Sequence, residues 1–475
     1  MTTATAESVD LELISGPPYR TILKLALPTV VAMLSQSVVN EIDVFFFSKL
    51  PHPEDSNAQA ALLPSLLLVW LFGGSLSAIS VGTQALTARR YAERQYERAG
   101  AVLFNAAFFC LVAGFLFMLV GFGTVDSLLG LILKVPQAHE IASAYSRWRL
   151  FGIISMSGTM ALKAFFDGIG KTWVHLVSAV AMNICNVLMC WLCIFGRPEI
   201  GIPRMGAPGA GFAAFVATWI GLFIMIFYAA REQKRFDFLR WSNLSKALTW
   251  DVLKLSIPAG LATVVMMVGF GLFAQVAGKL DALEALNALP GDHVEAVNGA
   301  ATTDIVAILK LTFTACIAFG TATATLVAQS LAAKRPDDAD RFGWASVRLG
   351  LVIFGAVGLI EGVLFTHQIV HFISHSPAVQ HAAMMPMRMM GIITPIIAVA
   401  MILSEALFGA GNTKFVAAAQ LCLVFGLLVP AAWLLGIKMD VGLKGMWTAA
   451  AMYCCSAAVV MTLKFRGGGW KKIVL

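Results

Sequence analysis

Long segments without Asp, Glu, Lys or Arg run through the whole chain, and six of them are 23 to 26 residues long. A helix needs about 20 mostly apolar residues to cross a membrane. Lipid offers no partners to backbone polar groups, so continuous apolar segments of this length must be helices. Only 13% of the residues are charged, against about 25% in soluble domains. We therefore predict an all-α polytopic membrane protein. The six segments are 101–124, 172–196, 205–230, 255–278, 311–333 and 415–437.

The apolar segments predict twelve membrane spans, and the basic residues predict their orientation. Of the 34 Lys and Arg residues, 22 fall at the termini and in alternate connections, such as 89–98 and 231–246. Basic residues concentrate on the cytoplasmic side, so we expect both termini in the cytoplasm and the chain in the cell inner (plasma) membrane. The net charge of +7 then needs no nucleic-acid partner. The predicted spans are 21–50, 60–88, 99–124, 141–166, 172–196, 206–230, 252–279, 304–333, 343–372, 380–408, 413–437 and 441–464.

The second half of the chain repeats the first. Residues 22–50 and 252–280 align in register, with Pro28 matched by Pro258. Six spans are an even number, so we expect two pseudosymmetric six-helix bundles in the same orientation with a central cavity, which is a transporter plan. We predict Pro28 and Pro258 as hinges, because proline removes a helical hydrogen bond. The predicted regions are a cytoplasmic tail (1–20), the first bundle (21–230), a cytoplasmic linker (231–251), the second bundle (252–464) and a cytoplasmic tail (465–475).

Six short motifs occur in order in the two halves. They are LALP from Leu25, NEIDVFFFSKL from Asn40, FFDGIGKT from Phe165, NICNVLMCWLCIFG from Asn183, ATLVAQSLAA from Ala324 and FGAGNTK from Phe408. With these motifs the chain resembles the multidrug and toxic compound extrusion (MATE) family of the wider MOP flippase superfamily, and it is closer to the DinF-like than to the NorM-like branch. The resemblance covers nearly all of residues 20–465. It implies export of organic cations and other amphipathic compounds against an inward flow of protons or sodium ions.

In the motif FFDGIGKT, the acidic and basic residues are exchanged relative to the family motif. The family has an Arg before the glycines and an Asp after them, whereas this chain has Asp167 and Lys171. We expect these two residues to pair, since they are four positions apart. The sequence GIGKT is not a phosphate loop, because Phe165 stands where that motif requires a glycine. Since the chain has no ATP-binding motif, we expect neither a primary pump nor an enzyme, and no cofactor.

Acidic residues occur in the first span and not in its repeat. The resemblance implies that Asp43 is the cation-coupling carboxyl and that Asn183 and Asn186 line the same site. An isolated carboxylate in a membrane costs about 2.5–3.5 kcal/mol or more, so it is expected to be paired, hydrated or protonated. The alternative is a static salt bridge or a hydrogen bond. Cys190 replaces a family Asp, which favours H+ over Na+ as the coupling ion. Glu41 is about 200° around the helix from Asp43 and is a further cation-coupling candidate.

The second half lacks the acids that one family branch carries there, because Met266 and Ile397 occupy those positions. Instead, Lys310, Glu361 and Arg388 lie within predicted spans. We predict that these three side chains meet in one polar network in the C-terminal half. A structural ion-pair cluster and a substrate site are both compatible with this pattern.

Three histidines, His367, His371 and His375, are spaced four residues apart, which places them on one helical face. Imidazoles in this arrangement suit copper or zinc, or a pH sensor. The alternative is an interfacial histidine cluster, and we predict no metal.

The sequence as a whole favours a secondary antiporter that exports organic cations or amphipathic drugs and metabolites, driven by inward flow of protons or, alternatively, sodium ions. Its expected partners are a small-molecule substrate and membrane lipid, and we expect a monomer. Two alternatives stay open. One is a flippase for lipid-linked oligosaccharides or polysaccharides, which would need a more cationic cavity. The other is a membrane scaffold or sensor that does not transport, for which Asp43 would be replaceable.

Overall fold

The computed structural model describes residues 14–51, 54–133, 135–287, 296–374 and 376–473. Within these ranges the chain is helical, with short 3₁₀ and π turns and no β-strand. The helices are α1 (Pro18–Phe47), α2 (Glu54–Phe72), α3 (Ile79–Ala92), α4 (Tyr96–Ile132), α5 (Pro136–Gly168), α6 (Trp173–Phe195), α7 (Ala207–Phe236), α8 (Lys246–Asn287), α9 (Val297–Ala332), α10 (Pro336–Leu359), α11 (Thr366–Ile373), α12 (Pro377–Gly409), α13 (Thr413–Leu423), α14 (Val429–Trp433) and α15 (Gly442–Arg466).

Membrane-spanning helices account for most of the described chain. In those ranges, ten helices are long and apolar enough to cross a membrane. An eleventh span is made by α2 and α3 together, which are bent by 43° at the 3₁₀ turn Gly74–Ala78. Paired small residues such as Gly and Ser commonly cause such bends. With α1, a helix of 30 residues, these elements are consistent with the twelve predicted spans. The prediction of an all-α polytopic membrane protein is confirmed.

The chain divides into two compact units. The first contains Lys24–Ile257, and the second contains Ile14–Leu23 and Pro258–Leu475. The division falls inside α8, which is continuous from Lys246 to Asn287 and has Pro258 in its interior. Pro28 likewise lies inside α1.

One long helix is central in each unit. In the first unit α5 packs against α2, α3, α4 and α7, and in the second unit α12 packs against α9, α10 and α15. Each central helix ends at a glycine that touches a neighbouring backbone. A Cβ on Gly168 would lie 3.0 Å from the carbonyl oxygen of Gln84, and one on Gly409 would lie 2.3 Å from that of Ala324. The internal repeat therefore extends to packing inside each unit.

Two predicted spans contain π turns. The span that starts with α10 continues through the π turn Ile360–Leu364 into α11. The span that starts with α13 contains two more, Val424–Leu428 and Leu434–Lys438, on either side of α14. Turns of this kind interrupt α-helical hydrogen bonding and occur often at functional sites.

Candidate functional site

Asp43 lies near the C-terminal end of α1, in the first unit, and only 6% of its surface is exposed. Its helix neighbours Phe46 and Phe47 belong to an apolar cluster that includes Tyr145 of α5 and Cys190 of α6. The aromatic residues of α1 bury this part of the helix, and Asp43 is buried with them. The carboxyl therefore depends on a few protein partners rather than on bulk water.

Three side chains act on the Asp43 carboxyl. The phenol of Tyr145 donates a hydrogen bond of 3.2 Å to Oδ2. The thiol of Cys190 donates a longer one, 3.5 Å, to Oδ1. Arg149, one helical turn beyond Tyr145 on α5, attracts the carboxylate electrostatically. The site is thus built from helices α1, α5 and α6, and all four of these residues belong to the first unit.

The two predicted asparagines occupy different positions around this site. Cys190 Sγ also lies 3.8 Å from Oδ1 of Asn186, so a single S–H can donate either to Asn186 or to Asp43. Asn183 instead donates from Nδ2 to Oγ of Ser35, at 2.8 Å. Asn186 therefore reaches Asp43 through Cys190, whereas Asn183 joins α6 to an earlier turn of α1. The side chain of Glu41 lies outside the described part of the structure.

The chemistry of these partners suits a proton better than a metal ion. The Asp43 carboxyl accepts hydrogen bonds from one phenol and one thiol, and the guanidinium of Arg149 acts on it only through its charge. Hard cations prefer several carboxylate, carbonyl or water oxygens, and thiols suit softer metals. In the ranges that the structure describes, no group of three or more His, Cys, Asp or Glu side chains is placed to hold a metal ion. A carboxyl with these partners can still bind and release a proton.

The predicted polar network of the second unit is not formed. Lys310 and Arg388 are exposed, and no ion pair joins either of them to Glu361 among the described residues. Glu361 instead accepts a hydrogen bond of 3.0 Å from Oγ1 of Thr312 on α9. The two long basic side chains are instead exposed at the protein surface, as such side chains often are near apolar surroundings.

Two of the three predicted histidines lie together. The rings of His367 and His371 are 4.1 Å apart, between centroids, on the exposed side of α11. This contact follows from their spacing of one helical turn. His375 lies outside the described residues.

The charges at and just beyond the C-terminal end of α5 pair differently from the prediction. Asp167 pairs with Lys163, at 2.7 Å, and Lys171 pairs with Glu232 of α7. The expected Asp167–Lys171 pair is wrong because α5 ends at Gly168 and Gly170 has a φ of +78°. Lys171 therefore does not lie on the helical face that carries Asp167.

Tyr145, Arg149 and Ser35 were not identified from the sequence, although each acts on the site. Tyr145 and Arg149 are four residues apart on a predicted span, so they share one helical face. An aromatic hydroxyl and a guanidinium on one face of a membrane helix could have indicated that this face of α5 contacts a buried acid. Ser35 gave none, because a lone serine hydroxyl in a helix usually bonds to its own backbone, and Ser35 also donates to the carbonyl oxygen of Ala32.

These features define a polytopic α-helical membrane protein with a carboxyl buried among three helices of one repeat unit. The MatE family model matches residues 28–192 and 293–434, which is more than half of the chain. The chain belongs to this family, the multidrug and toxic compound extrusion family.

Proteins named as multidrug resistance proteins are similar to the chain over most of its length. The multidrug resistance protein PmpM of Pseudomonas aeruginosa is 24% identical over 454 residues, which are 93% of this chain and 90% of that protein. A probable multidrug resistance protein NorM of Bacillus cereus is 25% identical over 323 residues, which are 66% of this chain and 67% of that protein. These matches leave the choice between the DinF-like and NorM-like branches as a prediction.

Solved structures share the fold. A MOP superfamily transporter from Pyrococcus furiosus superposes with a TM-score of 0.85 at 19% identity, covering 99% of this chain and 100% of that one. A multidrug resistance MATE family transporter in an outward-facing conformation gives a TM-score of 0.84 at 20% identity, covering 98% of both chains.

Proposed function

We propose that the protein is a secondary antiporter that exports organic cations or amphipathic drugs across the cell inner membrane. The names of its relatives as multidrug resistance proteins support the type of activity. In this proposal both termini are cytoplasmic, the protein acts as a monomer, and no cofactor takes part.

We propose further that protons drive the export and that Asp43 carries them. The observation behind this proposal is the buried Asp43 carboxyl with a phenol on one oxygen and a thiol on the other. Burial disfavours the ionised form of a carboxyl, whereas a donated hydrogen bond and a nearby cation favour it. These effects oppose each other at Asp43, so small changes in the surroundings would change its proton affinity during transport.

Sodium coupling is the less favoured alternative. The family acid that would add hard oxygens to the site is Cys190 in this chain, and its sulfur is a poor ligand for a hard cation. A proton needs only the one carboxyl.

We propose that α1 bends at Pro28 during transport. Oγ1 of Thr29 bonds to the carbonyl oxygen of Leu25, at 3.3 Å, on the adjoining turn. Proline lacks an N–H and weakens the helix at this point. A bend there would change the position of Asp43 relative to α5 and α6 between two states. Pro258 has the corresponding place in α8 and is the second proposed hinge.

The experiment is transport of an organic-cation dye, such as ethidium, by purified protein in proteoliposomes under one imposed gradient at a time. A proton gradient alone is expected to drive dye movement, and a sodium gradient alone is not. Transport driven by sodium alone would overturn the proton assignment. The absence of any movement, for every cationic dye tested under both gradients, would overturn the proposal of an organic-cation exporter.

A further inference from the structure

We propose that Glu361 is a second proton-binding carboxyl, located in the C-terminal unit, and this inference rests on the proposed proton-driven transport. The span that begins with α10 carries Glu361 in its π turn, Ile360–Leu364. The turn is closed by a hydrogen bond of 2.9 Å from the N–H of Phe365 to the carbonyl oxygen of Ile360. π turns inside helices are often found where a side chain has a function.

The backbone on either side of Glu361 packs closely against α12. Gly358 and Gly362 lie directly against Gly391 of α12, and a Cβ on Gly391 would be 2.4 Å from the Cα of Gly362. No side chain fits between these backbones. The carboxyl of Glu361 contacts α9 instead, where Thr312 donates to its Oε1 at 3.0 Å.

The second oxygen of this carboxyl has no partner. Oε2 is buried and forms no hydrogen bond with any described residue. An ionised carboxylate with one neutral donor is costly inside a membrane span, by about 2.5–3.5 kcal/mol or more. Binding a proton removes the charge, so the surroundings of Glu361 favour a carboxyl that is neutral unless a cation or water reaches it.

Among the residues that the structure describes, Glu361 has no counter-ion. On α9 the neighbours are Thr312 and Cys316, which are both buried, while Lys310 is exposed. On α12, the backbone oxygen of Arg388 lies against Gly362, next to Glu361 in the chain, and the Arg388 side chain is exposed.

On α11, His367 and His371 are exposed as well. No basic side chain in the described ranges lies within 4 Å of the carboxyl. A proton needs only this one carboxyl, so it is the cation that we assign to the site.

The direct test is infrared difference spectroscopy of the purified, reconstituted protein during a pH titration, in the carbonyl region where only protonated carboxyl groups absorb. The wild type is expected to show one protonated band that is lost in Glu361→Gln and a different band that is lost in Asp43→Asn. Thr312→Val, which removes only the hydrogen bond, is expected to shift the Glu361 band without removing it. A spectrum of Glu361→Gln identical to that of the wild type at every pH would overturn the inference.

A second readout separates this inference from the proposed function. The number of protons moved for each dye molecule, measured in proteoliposomes, is expected to fall in Glu361→Gln while transport continues. If Glu361→Gln leaves this number unchanged, Glu361 carries no proton in the cycle, and the role of Asp43 is unaffected. If instead Asp43→Asn retains proton-driven transport, the proposed role of Asp43 fails, whereas a pH-dependent infrared band that is lost in Glu361→Gln still supports proton binding at Glu361.

Discussion

The phenol of Tyr145 donates a hydrogen bond of 3.2 Å to the Asp43 carboxyl, although the two residues are 102 positions apart in the sequence. Tyr145 lies on α5, the central helix of its unit, and is fully surrounded by protein, with 2% of its surface exposed. The bond therefore connects the acid of α1 to the central helix of the first unit. A movement of α1 would have to stretch or break it.

Replacing Tyr145 by Phe should make Asp43 hold its proton more tightly. The phenol stabilises the ionised carboxylate, and a hydrogen bond to a charged group contributes about 1.5–3 kcal/mol. Its loss should move the pH of half-maximal dye transport upward by on the order of one unit. The measurement is the pH profile of transport in proteoliposomes, with Tyr453→Phe in the other unit as the control. An unchanged profile would show that the phenol does not act on the titrating group.

Replacing Cys190 by Asp should introduce a sodium response. The thiol lies 3.5 Å from Oδ1 of Asp43 and 3.8 Å from Oδ1 of Asn186, so a carboxylate there would add hard oxygens to an existing carboxyl and amide. Sodium ions should then raise the thermal unfolding temperature of the variant and not that of the wild type. Cys190→Ser, which adds no charge, serves as the control. Equal sodium effects in all three proteins would count against the proposed ion selectivity.

Replacing Lys163 by Met should destabilise the first unit. Lys163 pairs at 2.7 Å with Asp167, a fully buried residue, and removing one partner of a buried ion pair costs about 3–5 kcal/mol. Lys254→Met is the matched control, because Lys254 and Asp251 are both about half exposed and such pairs contribute about 0–1 kcal/mol. Unfolding by SDS in mixed micelles measures both. Equal losses would contradict the assigned difference in burial.

Replacing Gly391 by Ala should separate α12 from the π turn that carries Glu361. The new Cβ would be 2.4 Å from the Cα of Gly362, and this contact involves backbone that cannot rotate away. Overpacking of this kind typically costs about 1–3 kcal/mol. Gly355→Ala, on α10, is the control, since a Cβ there meets nothing within 4 Å and favours the helix. The two variants should differ in thermal unfolding temperature, and indistinguishable temperatures would refute the close approach.

The sequence was sufficient to predict the helices, because span length and the absence of charge follow directly from the physics of lipid. An acid in an apolar helix stands out in the same way, which marked both Glu41 and Asp43, and the choice of Asp43 came from the family resemblance. The break between α2 and α3 was not predicted, because bending at Gly and Ser depends on the packing of neighbouring helices.

The side chains that bond to Asp43 were harder to predict from the sequence than Asp43 itself. The identity of the side chain that reaches Asp43 depends on the rotation and register of α5, which no local pattern fixes. The same limit explains the second unit, where Lys310, Glu361 and Arg388 were expected to meet. The sequence places all three residues within predicted spans, but the direction of each side chain depends on helix rotation, and Thr312 bonds to Glu361 instead.

The measurement that tests the central claim most directly is the initial rate of proton-driven dye transport in proteoliposomes for Asp43→Asn, beside Asp43→Glu and Glu41→Gln. Asn keeps the size of the side chain and removes the ability to bind a proton, so transport should fall to the level of protein-free vesicles. Asp43→Glu should retain part of the rate, and Glu41→Gln should retain most of it. Wild-type transport by Asp43→Asn at equal protein content would contradict the account.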